Sequence, residues 1–149
     1  MFINSIITFI GAGAMAEAMI SGLIRNHLAR GETLLASDPR LDRVKYLQAT
    51  YGIQPYIDNM EAACQADVVV LSIKPQVLDR VLGEIKGCLK PDVLILSIVA
   101  GAPISKITEG LGSRMIVRSM PNTPAQIGEG ITVWTSAPEV TQVQQEMAR

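Results

Sequence analysis

A glycine-rich stretch follows the first apolar run of the chain. In residues 11–16, GAGAMA, the residues Gly11, Gly13 and Ala16 fit the pattern G-x-G-x-x-G/A. In that pattern the first glycine makes a tight turn, the second lets the backbone approach a pyrophosphate, and the third small residue keeps strand and helix close. The N-terminus of the following helix offers free N–H groups and a partial positive charge to the phosphates. The pattern predicts a dinucleotide-binding turn, although an ordinary strand-to-helix turn can have the same glycines.

A negative and two positive side chains compete near the position expected for the adenosine ribose of a dinucleotide. Asp38 follows the second apolar run, 22 residues after Ala16. Its carboxylate could accept hydrogen bonds from the ribose 2′-OH of NAD, whereas Arg40 and Arg43 could hold the 2′-phosphate of NADP. Asp38 directly before Pro39 is equally typical of a helix N-cap, with the arginines on a solvated helix face. The residues alone leave these interpretations open.

Three later stretches end apolar runs in the same way. They are LSIKPQ, SIVAGAP and SMPNTP, at residues 71–76, 97–103 and 119–124. Open α/β sheets bind ligands beyond the carboxyl ends of their strands, so these stretches are candidate parts of the site. Lys74 could neutralise a phosphate or simply face water, and Gly101 would let a loop pass close to a flat ring.

The elements that position these residues follow from the hydrophobic pattern. Short runs rich in Val, Ile and Leu alternate with helical periodicity, which indicates parallel strands joined by crossover helices. The runs are apolar at successive positions, which is typical of a sheet covered on both faces. We therefore predict a Rossmann-type α/β fold, with a doubly wound, mainly parallel sheet and helices on both faces.

The pattern also places each element along the chain. The predicted strands are at residues 5–10, 33–37, 53–57, 67–73, 92–98, 114–119 and 131–135. The predicted helices are at about residues 13–30, 39–51, 60–65, 75–86, 104–111 and 138–149. Pro39 would take the first position of the second helix, and Gly52 would lie just past its end. Residues 120–130 are rich in Pro and Gly, which predicts a loop.

Composition limits the classes of function. The 149 residues are one domain's worth of chain, and 48% are hydrophobic, which is enough for a core. The 13 Lys and Arg residues nearly balance the 14 Asp and Glu residues, which leaves no electrostatic footprint for nucleic acid or an anionic membrane. Cys64 and Cys88 are too few and too isolated for a disulfide framework or a metal site. We therefore expect a cytoplasmic protein without a metal.

The apolar N-terminal run could also be a secretion signal or a membrane anchor. No Lys or Arg precedes it, and Gly11, Gly13 and Glu17 interrupt it. A signal peptide has a basic segment ahead of its apolar core, and a spanning helix needs about 20 apolar residues without breakers. We interpret the run as a buried strand and expect no association with a membrane.

Together, these motifs resemble one family, pyrroline-5-carboxylate reductase, which completes proline biosynthesis. Five stretches follow the same order as in that family: FIGAGAMAEAMISGL, ASDP, DVVVLSIKPQ, LSIVAG and VRSMPNTPAQIGEG. The resemblance spans about residues 6–136, and the combination of KPQ with MPNTP is far more specific than the glycines. The 3-hydroxyacid dehydrogenases share the glycine loop, but MPNTP is not expected in them.

The resemblance implies a set of residues that contact a dinucleotide. Those around the pyrophosphate are Ile10, Gly11, Ala12, Gly13, Ala14 and Met15. Those around the adenosine ribose are Ser37, Asp38 and Arg40. Those along the ribose and phosphate track are Ser72, Ile73, Lys74 and Pro75, and those approaching the nicotinamide are Ser97, Val99 and Ala100. Asn122 and Thr123 would lie beside the reacting ring, although they could be nothing more than turn residues.

The resemblance also implies the reaction. A hydride passes from C4 of the nicotinamide to the C=N carbon of 1-pyrroline-5-carboxylate, which gives L-proline. The cofactor carries this chemistry, so the protein mainly positions the two rings and excludes water. The family usually accepts NADPH and often NADH, so we expect NADPH. Two departures bear on the cofactor: Ala14 stands where many members have Asn or Gln, and Asp38 where many have a neutral residue.

In the family, an all-helical domain follows the dinucleotide-binding domain and builds the dimer and most of the substrate pocket. We expect residues 1–149 to be the dinucleotide-binding domain without that helical domain, and to bind cofactor with little turnover. The full-length relative is expected to be a homo-oligomer. Two alternatives stay open: a stand-alone NAD(P)-binding module or sensor, and a 3-hydroxyacid dehydrogenase-like enzyme on the same fold.

Overall fold

Runs of four buried residues form the centre of the sheet in the computed structural model, which describes residues 4–122, 124 and 130–148. The strands are β1 (Ile7–Ile10), β2 (Leu34–Ser37), β3 (Gln54–Tyr56), β4 (Val68–Leu71), β5 (Leu94–Ser97), β6 (Ile116–Pro121) and β7 (Thr132–Ser136). Every residue of β1, β2, β4 and β5 is buried. The centre of the sheet is therefore covered on both faces, as the uninterrupted apolar runs predict.

The strands follow the order β3-β2-β1-β4-β5-β6-β7. Strands β1 to β6 are parallel, and β7 is antiparallel to β6. From β1 the chain adds β2 and β3 on one side of β1. It then crosses back and adds β4 to β7 on the other side. The direction of building reverses between β1 and β4, which is where open α/β sheets form a ligand crevice.

Register brings the carboxyl ends of the central strands level. Ile10 pairs with Ser37 on one side and with Leu71 on the other. Leu71 in turn pairs with Ser97. We call these four residues the strand-end row. The loops that follow the row start at the same height, so they share one edge of the sheet, which we call the strand-end edge.

Helices cover both faces of the sheet. They are α1 (Ala14–Arg25), α2 (Leu41–Tyr51), α3 (Asn59–Ala63), α4 (Leu78–Ile85), α5 (Ile104–Leu111) and α6 (Gln142–Met147), with short 3-10 turns at Gly31–Thr33 and Pro75–Val77. Phe9 belongs to the same core cluster as Ile20 of α1. Its neighbour Ile10 belongs to a second cluster, with Ile85 of α4 and Ile107 of α5. Successive strand residues thus face opposite helical layers, and the predicted doubly wound fold is confirmed.

Helix α1 ends earlier than the helical pattern predicts. The predicted helix runs to residue 30, whereas α1 ends at Arg25 with Asn26 as its C-cap. His27 has a φ of 55°. A residue in the left-handed region cannot continue an α-helix, so the residues after Asn26 turn away. His27 is exposed there.

Helix α2 begins later than predicted. It starts at Leu41 with Arg40 as its N-cap, rather than at Pro39. The Asp38 carboxylate accepts a hydrogen bond from the Arg40 N–H at 3.0 Å, which makes a turn just before the helix. Asp38 therefore supports the approach to α2 without being its N-cap. Gly52, with a φ of 71°, ends the helix as predicted.

Strand β6 continues into the region predicted to be a loop. Met120 pairs with Val133, and Pro121 pairs with Thr132 of β7. The pairing partner is the next strand, so the local content of Pro and Gly does not report it. The predicted loop over residues 120–130 is wrong at its start for this reason.

The described helices are short. The longest of those given above is α1, with 12 residues. Within residues 4–122, 124 and 130–148, no helix is long and apolar enough to cross a membrane. In the same part of the chain, no three His, Cys, Asp or Glu side chains are grouped so that they could hold a metal ion.

Candidate functional site

The turn after β1 depends on a glycine. Gly11 has a φ of 95°, and a Cβ added to it would lie 2.5 Å from the carbonyl oxygen of Ser72. The Gly11 N–H donates to the carbonyl of Ser37 at 2.8 Å. The Ser72 hydroxyl donates to the carbonyl oxygens of Gly11 at 2.8 Å and Ile10 at 3.1 Å. The turn is thus held between the ends of β2 and β4.

Gly13 has a different reason to be glycine. It is the N-cap of α1, with a φ of −74° and a ψ of −173°, and as a glycine it has no side chain to cap the helix. A Cβ at Gly13 would meet nothing within 4 Å. The fold itself therefore has room for a Cβ at this position. A ligand that approaches the backbone closely would leave no room for one. The first turn of α1 can offer its N–H groups to an anion.

An arginine of α2 holds the carbonyl groups of the same turn. Arg43 Nε donates to the Ala12 oxygen at 2.6 Å, and Nη2 donates to the Gly13 oxygen at 3.3 Å. Nη2 also lies 2.6 Å from a carboxylate oxygen of Glu17, and the Arg43 side chain is only 20% exposed. These contacts occupy the guanidinium inside the protein. The interpretation of Arg43 as a 2′-phosphate ligand therefore loses support.

Asp38 uses both carboxylate oxygens inside the protein. Oδ2 accepts from the Ala12 N–H at 3.0 Å and from Arg40 Nη2 at 3.1 Å. Oδ1 accepts from the Arg40 N–H at 3.0 Å and from Arg40 Nε at 2.9 Å. Burial raises the pKa of the Asp38 carboxyl, but the hydrogen bonds from Arg40 and Ala12 outweigh burial, so the pKa lies below its ordinary value. The charged carboxylate ties the glycine turn to the start of α2.

A cleft of about 390 Å³ opens beyond the ends of β1, β2 and β4. The predicted contacts that line it are Gly11, Gly13, Ser37, Asp38, Arg40, Ser72, Ile73 and Lys74. Pro39, inside the stretch 37–40 expected around the adenosine ribose, also lines the cleft, and the lining residues that the sequence did not identify as contacts are Asn59, Val77, Arg80 and Val81. The structure therefore brings residues expected at the pyrophosphate, the adenosine ribose and the phosphate track into one cleft.

Asn59 connects the cleft to helices α3 and α4. It accepts a hydrogen bond from the Ser37 hydroxyl at 2.8 Å, and its amide donates to Glu84 at 2.7 Å. Glu84 pairs with Arg80 at 3.5 Å. Asn59 follows Asp58, whose carboxylate accepts hydrogen bonds from the N–H groups of Met60 and Glu61 in the first turn of α3. Its place after the third strand is a signal that could have identified it, because that strand also ends at the binding edge.

The predicted contacts Ile10, Ala12, Ala14 and Pro75 are among those that do not line this cleft. Ile10 and Ala12 are fully buried, so only their backbone could face a ligand. Ala14 and Pro75 are exposed beside the glycine turn and at the start of a 3-10 turn, respectively. Their predicted contacts stay predictions.

A second cleft, of about 170 Å³, lies toward β5, β6 and β7. Its lining contains no cationic side chain among the described residues and consists of Met15, Ala18, Met19, Leu96, Ile98, Ser119, Pro121, Thr132 and Ala148. Met15 is the predicted contact that it includes. Ser97, between the lining residues Leu96 and Ile98, is buried. Its hydroxyl oxygen accepts a hydrogen bond from the Val99 N–H at 3.3 Å. Val99 is buried and Ala100 exposed, so the predicted nicotinamide contacts form the turn after β5.

Asn122 closes the hairpin between β6 and β7. Its side-chain oxygen accepts from the Ile131 N–H at 2.9 Å, and its own N–H donates to the Ile131 carbonyl at 3.2 Å. This is the turn role that the sequence left open for it. Thr123 lies outside the described residues, so its place beside a reacting ring stays a prediction.

Comparison with known proteins identifies the family to which the chain belongs. Residues 6–101 match the family described as NADP oxidoreductase coenzyme F420-dependent. The chain is 42% identical over 123 residues to a pyrroline-5-carboxylate reductase from Synechocystis sp.. The aligned residues cover 83% of this chain and 46% of the relative. The chain spans about half the length of the curated relatives it matches.

Solved structures agree with the sequence relatives. A pyrroline-5-carboxylate reductase from Coxiella burnetii superposes with a TM-score of 0.93 at 34% identity, over 97% of this chain and 54% of that one. A Plasmodium falciparum pyrroline carboxylate reductase with NADP bound gives a TM-score of 0.83 at 30% identity, over 97% of this chain and 52% of that one. The resemblance inferred from KPQ and MPNTP is confirmed.

Proposed function

Because the chain belongs to the family described as NADP oxidoreductase coenzyme F420-dependent, we propose that its strand-end edge binds NADPH and, more weakly, NADH. The observation that carries the proposal is the glycine turn at the point where the order of strands reverses. Gly11 shapes the turn, and the N-cap Gly13 places no side chain over the start of α1. Backbone N–H groups and the helix dipole at such a turn favour the two charges of a pyrophosphate. The Plasmodium relative, described with NADP bound, supports the same assignment.

The charged groups of the first cleft favour NADPH over NADH. An ionised carboxylate has about four acceptor positions, and four donors already occupy those of Asp38. It therefore has no free acceptor for the 2′-OH of NADH while Arg40 stays in place. The Arg40 side chain is 60% exposed beside Asp38, where its planar fork suits a 2′-phosphate. Lys74, exposed on the same cleft, is a second cation for the phosphates.

We propose that residues 1–149 are the dinucleotide-binding domain of a longer reductase that converts 1-pyrroline-5-carboxylate to L-proline. Bound NADPH would supply the hydride. The residues of this chain would grip its adenosine and pyrophosphate and direct its other end toward the second cleft. There Met15, Ile98 and Pro121 offer an apolar wall that excludes water from the reacting atoms.

Replacement of Gly13 by Val tests the cofactor proposal. The added Cβ meets nothing within 4 Å in the fold, but the valine side chain would stand where the pyrophosphate approaches, so NADPH affinity should fall by about 100-fold or more. Titration by nicotinamide fluorescence measures the affinity, and circular dichroism checks the fold. Gly83→Val is the matched control, because Gly83 also has open space but lies on α4 away from the cleft lining. Wild-type affinity in Gly13→Val would remove the phosphate assignment.

Turnover tests the domain proposal separately. The carboxylate of the substrate needs a cationic or N–H partner, and the described lining of the second cleft has no cation. We expect residues 1–149 to oxidise NADPH with 1-pyrroline-5-carboxylate only at the background rate. Rapid oxidation by the purified chain would show that the substrate pocket is complete within it.

A further inference from the structure

Arg43 helps to fix the direction of two peptide groups in the glycine turn, of which the Gly13 carbonyl also accepts from the Glu17 N–H at 3.0 Å. The guanidinium holds the carbonyl oxygens of Ala12 and Gly13. The peptide bonds of the turn are trans. In a planar trans peptide the C=O points opposite to the N–H of the next residue. The N–H groups of Gly13 and Ala14 therefore point away from Arg43, and Gly13 lines the first cleft.

Glu17 places a negative charge on the Arg43 side of the same turn, 2.6 Å from the guanidinium. It lies in the first turn of α1, where its carboxylate would repel a bound phosphate. Burial raises the pKa of Glu17, but hydrogen bonds from Arg43, Tyr51 and Tyr46 outweigh burial and hold the pKa below its ordinary value. The group is therefore charged at neutral pH. Its partners lie at 2.6 Å for Arg43, 3.0 Å for the Tyr51 hydroxyl and 3.3 Å for the Tyr46 hydroxyl.

From these contacts we infer that Arg43 is a positioning residue for the pyrophosphate of the cofactor. It acts in two ways. It holds two carbonyl groups so that the following N–H groups face the ligand, and it cancels the charge of Glu17 in the first turn of the helix that follows the glycine turn. The inference rests on the proposed NADPH binding and adds a residue that does not itself contact the cofactor.

NADPH titrations of three variants separate the two effects. Arg43→Met removes both, so NADPH affinity should fall about tenfold. Glu17→Gln keeps the carbonyl contacts and leaves the Arg43 charge uncancelled, so affinity should stay within about twofold of wild type or rise. The double variant Glu17→Gln/Arg43→Met should bind NADPH about threefold more tightly than Arg43→Met, because the uncompensated carboxylate is gone. A merely structural Arg43 predicts the reverse, since the double variant loses more contacts.

Salt provides a second readout. The deficit of Arg43→Met relative to wild type should shrink when ionic strength rises from about 0.05 M to 0.5 M, because salt screens the repulsion from Glu17. The deficit of Glu17→Gln/Arg43→Met should change little over the same range. An Arg43→Met deficit that is independent of salt would remove the charge-cancelling part of the inference.

Arg43→Lys keeps the test valid if Arg43→Met does not fold. An ammonium can pair with Glu17 but cannot span Glu17 and two carbonyl oxygens as the planar guanidinium does, so its NADPH affinity should be intermediate. Wild-type affinity in Arg43→Lys or Arg43→Met would overturn the inference, as would a double variant weaker than Arg43→Met. No NADPH binding by the folded wild-type chain would overturn the proposed function instead.

Discussion

The two sides of the strand-end edge are connected in different ways. On the side of β2, β1 and β4, hydrogen bonds run between elements that are far apart in sequence. Ser72 binds the glycine turn from the end of β4, and Asp38 binds it from the end of β2. Arg43 reaches the same turn from α2. This side is a network in which several strands hold one backbone turn.

On the side of β5, β6 and β7, the side chains of Ser97 and Asn122 serve local turns. Ser97 accepts from Val99, two residues away, and Asn122 closes its own hairpin. The same hairpin exposes two large apolar side chains, Ile131 at 71% and Val133 at 70%. The comparison indicates that the first side holds its own binding groups in position, whereas the second side offers mainly apolar surface. The proposed cofactor grip therefore depends on the first side.

Gly11→Ala should have the largest effect, because it breaks the turn that the first side supports. The added Cβ meets both an unfavourable φ of 95° and the Ser72 carbonyl oxygen, so the free energy of unfolding should fall by about 3 kcal/mol. Urea denaturation measures it. Gly87→Ala is the matched control, because Gly87 has a φ of 88° but open space around the added Cβ, and should cost about 1 kcal/mol. Equal losses in the two variants would show that contact with Ser72 is unimportant.

Asp38→Asn should have the next largest effect on stability. The amide cannot accept from all the donors around Asp38, so the free energy of unfolding at neutral pH should fall by about 2 kcal/mol. The Asp38 pKa is lower in the folded state than in the unfolded state, so its contribution is present above the unfolded pKa and is lost as pH falls through the folded pKa. Urea unfolding below about pH 4 should therefore show a smaller difference between wild type and Asp38→Asn than at pH 7. A difference that does not depend on pH would contradict this charge assignment.

Arg40→Ala should change cofactor preference more than it changes folding. The variant loses a ligand for the 2′-phosphate and frees Asp38 acceptors for the 2′-OH of NADH. The ratio of NADPH to NADH affinity should fall by about tenfold, as measured by parallel fluorescence titrations. Lys106→Ala is a suitable control, because this exposed cation pairs with Asp79 away from the cleft. An unchanged ratio would assign the 2′-phosphate to other groups, with Lys74 the next candidate.

Val133→Thr should have the smallest effect, because Val133 lies on the second side and is largely exposed. Thr has a similar shape and suits a strand, so NADPH affinity should stay within about twofold of wild type. A fivefold or greater loss in the same titration would show that the β6–β7 hairpin contributes to cofactor binding. That result would weaken the distinction between the two sides.

The sequence predicts the features of this site that depend on neighbouring residues. The strands are continuous apolar runs, and the glycine turn directly follows the first of them, so fold class and turn could be inferred together. Gly52 could be placed past the end of α2 for the same reason. These features need only local geometry and burial.

The features that the sequence missed depend on contacts between distant residues. Arg43 reaches the carbonyl of Ala12, 31 residues earlier, and Asn59 reaches Glu84, 25 residues later. No local pattern reports either contact. The early end of α1 before the left-handed residue His27 and the extension of β6 beside its partner β7 are further cases. Residue type alone could not show which of Arg40 and Arg43 is free to contact a 2′-phosphate. The fold leaves Arg40 largely exposed and Arg43 mostly buried.

The level strand-end row also imposes a length on whatever binds along it. Adjacent strands are about 4.8 Å apart, so Ser37 on β2 and Ser97 on β5, three positions along the row, are separated by about 14 Å. A molecule that contacts both Asp38, after β2, and the loop after β5 must therefore be extended, with a length of at least about 14 Å. The sheet would select its ligand by reach as well as by charge, and shortening the ligand from either end would cost one set of contacts completely.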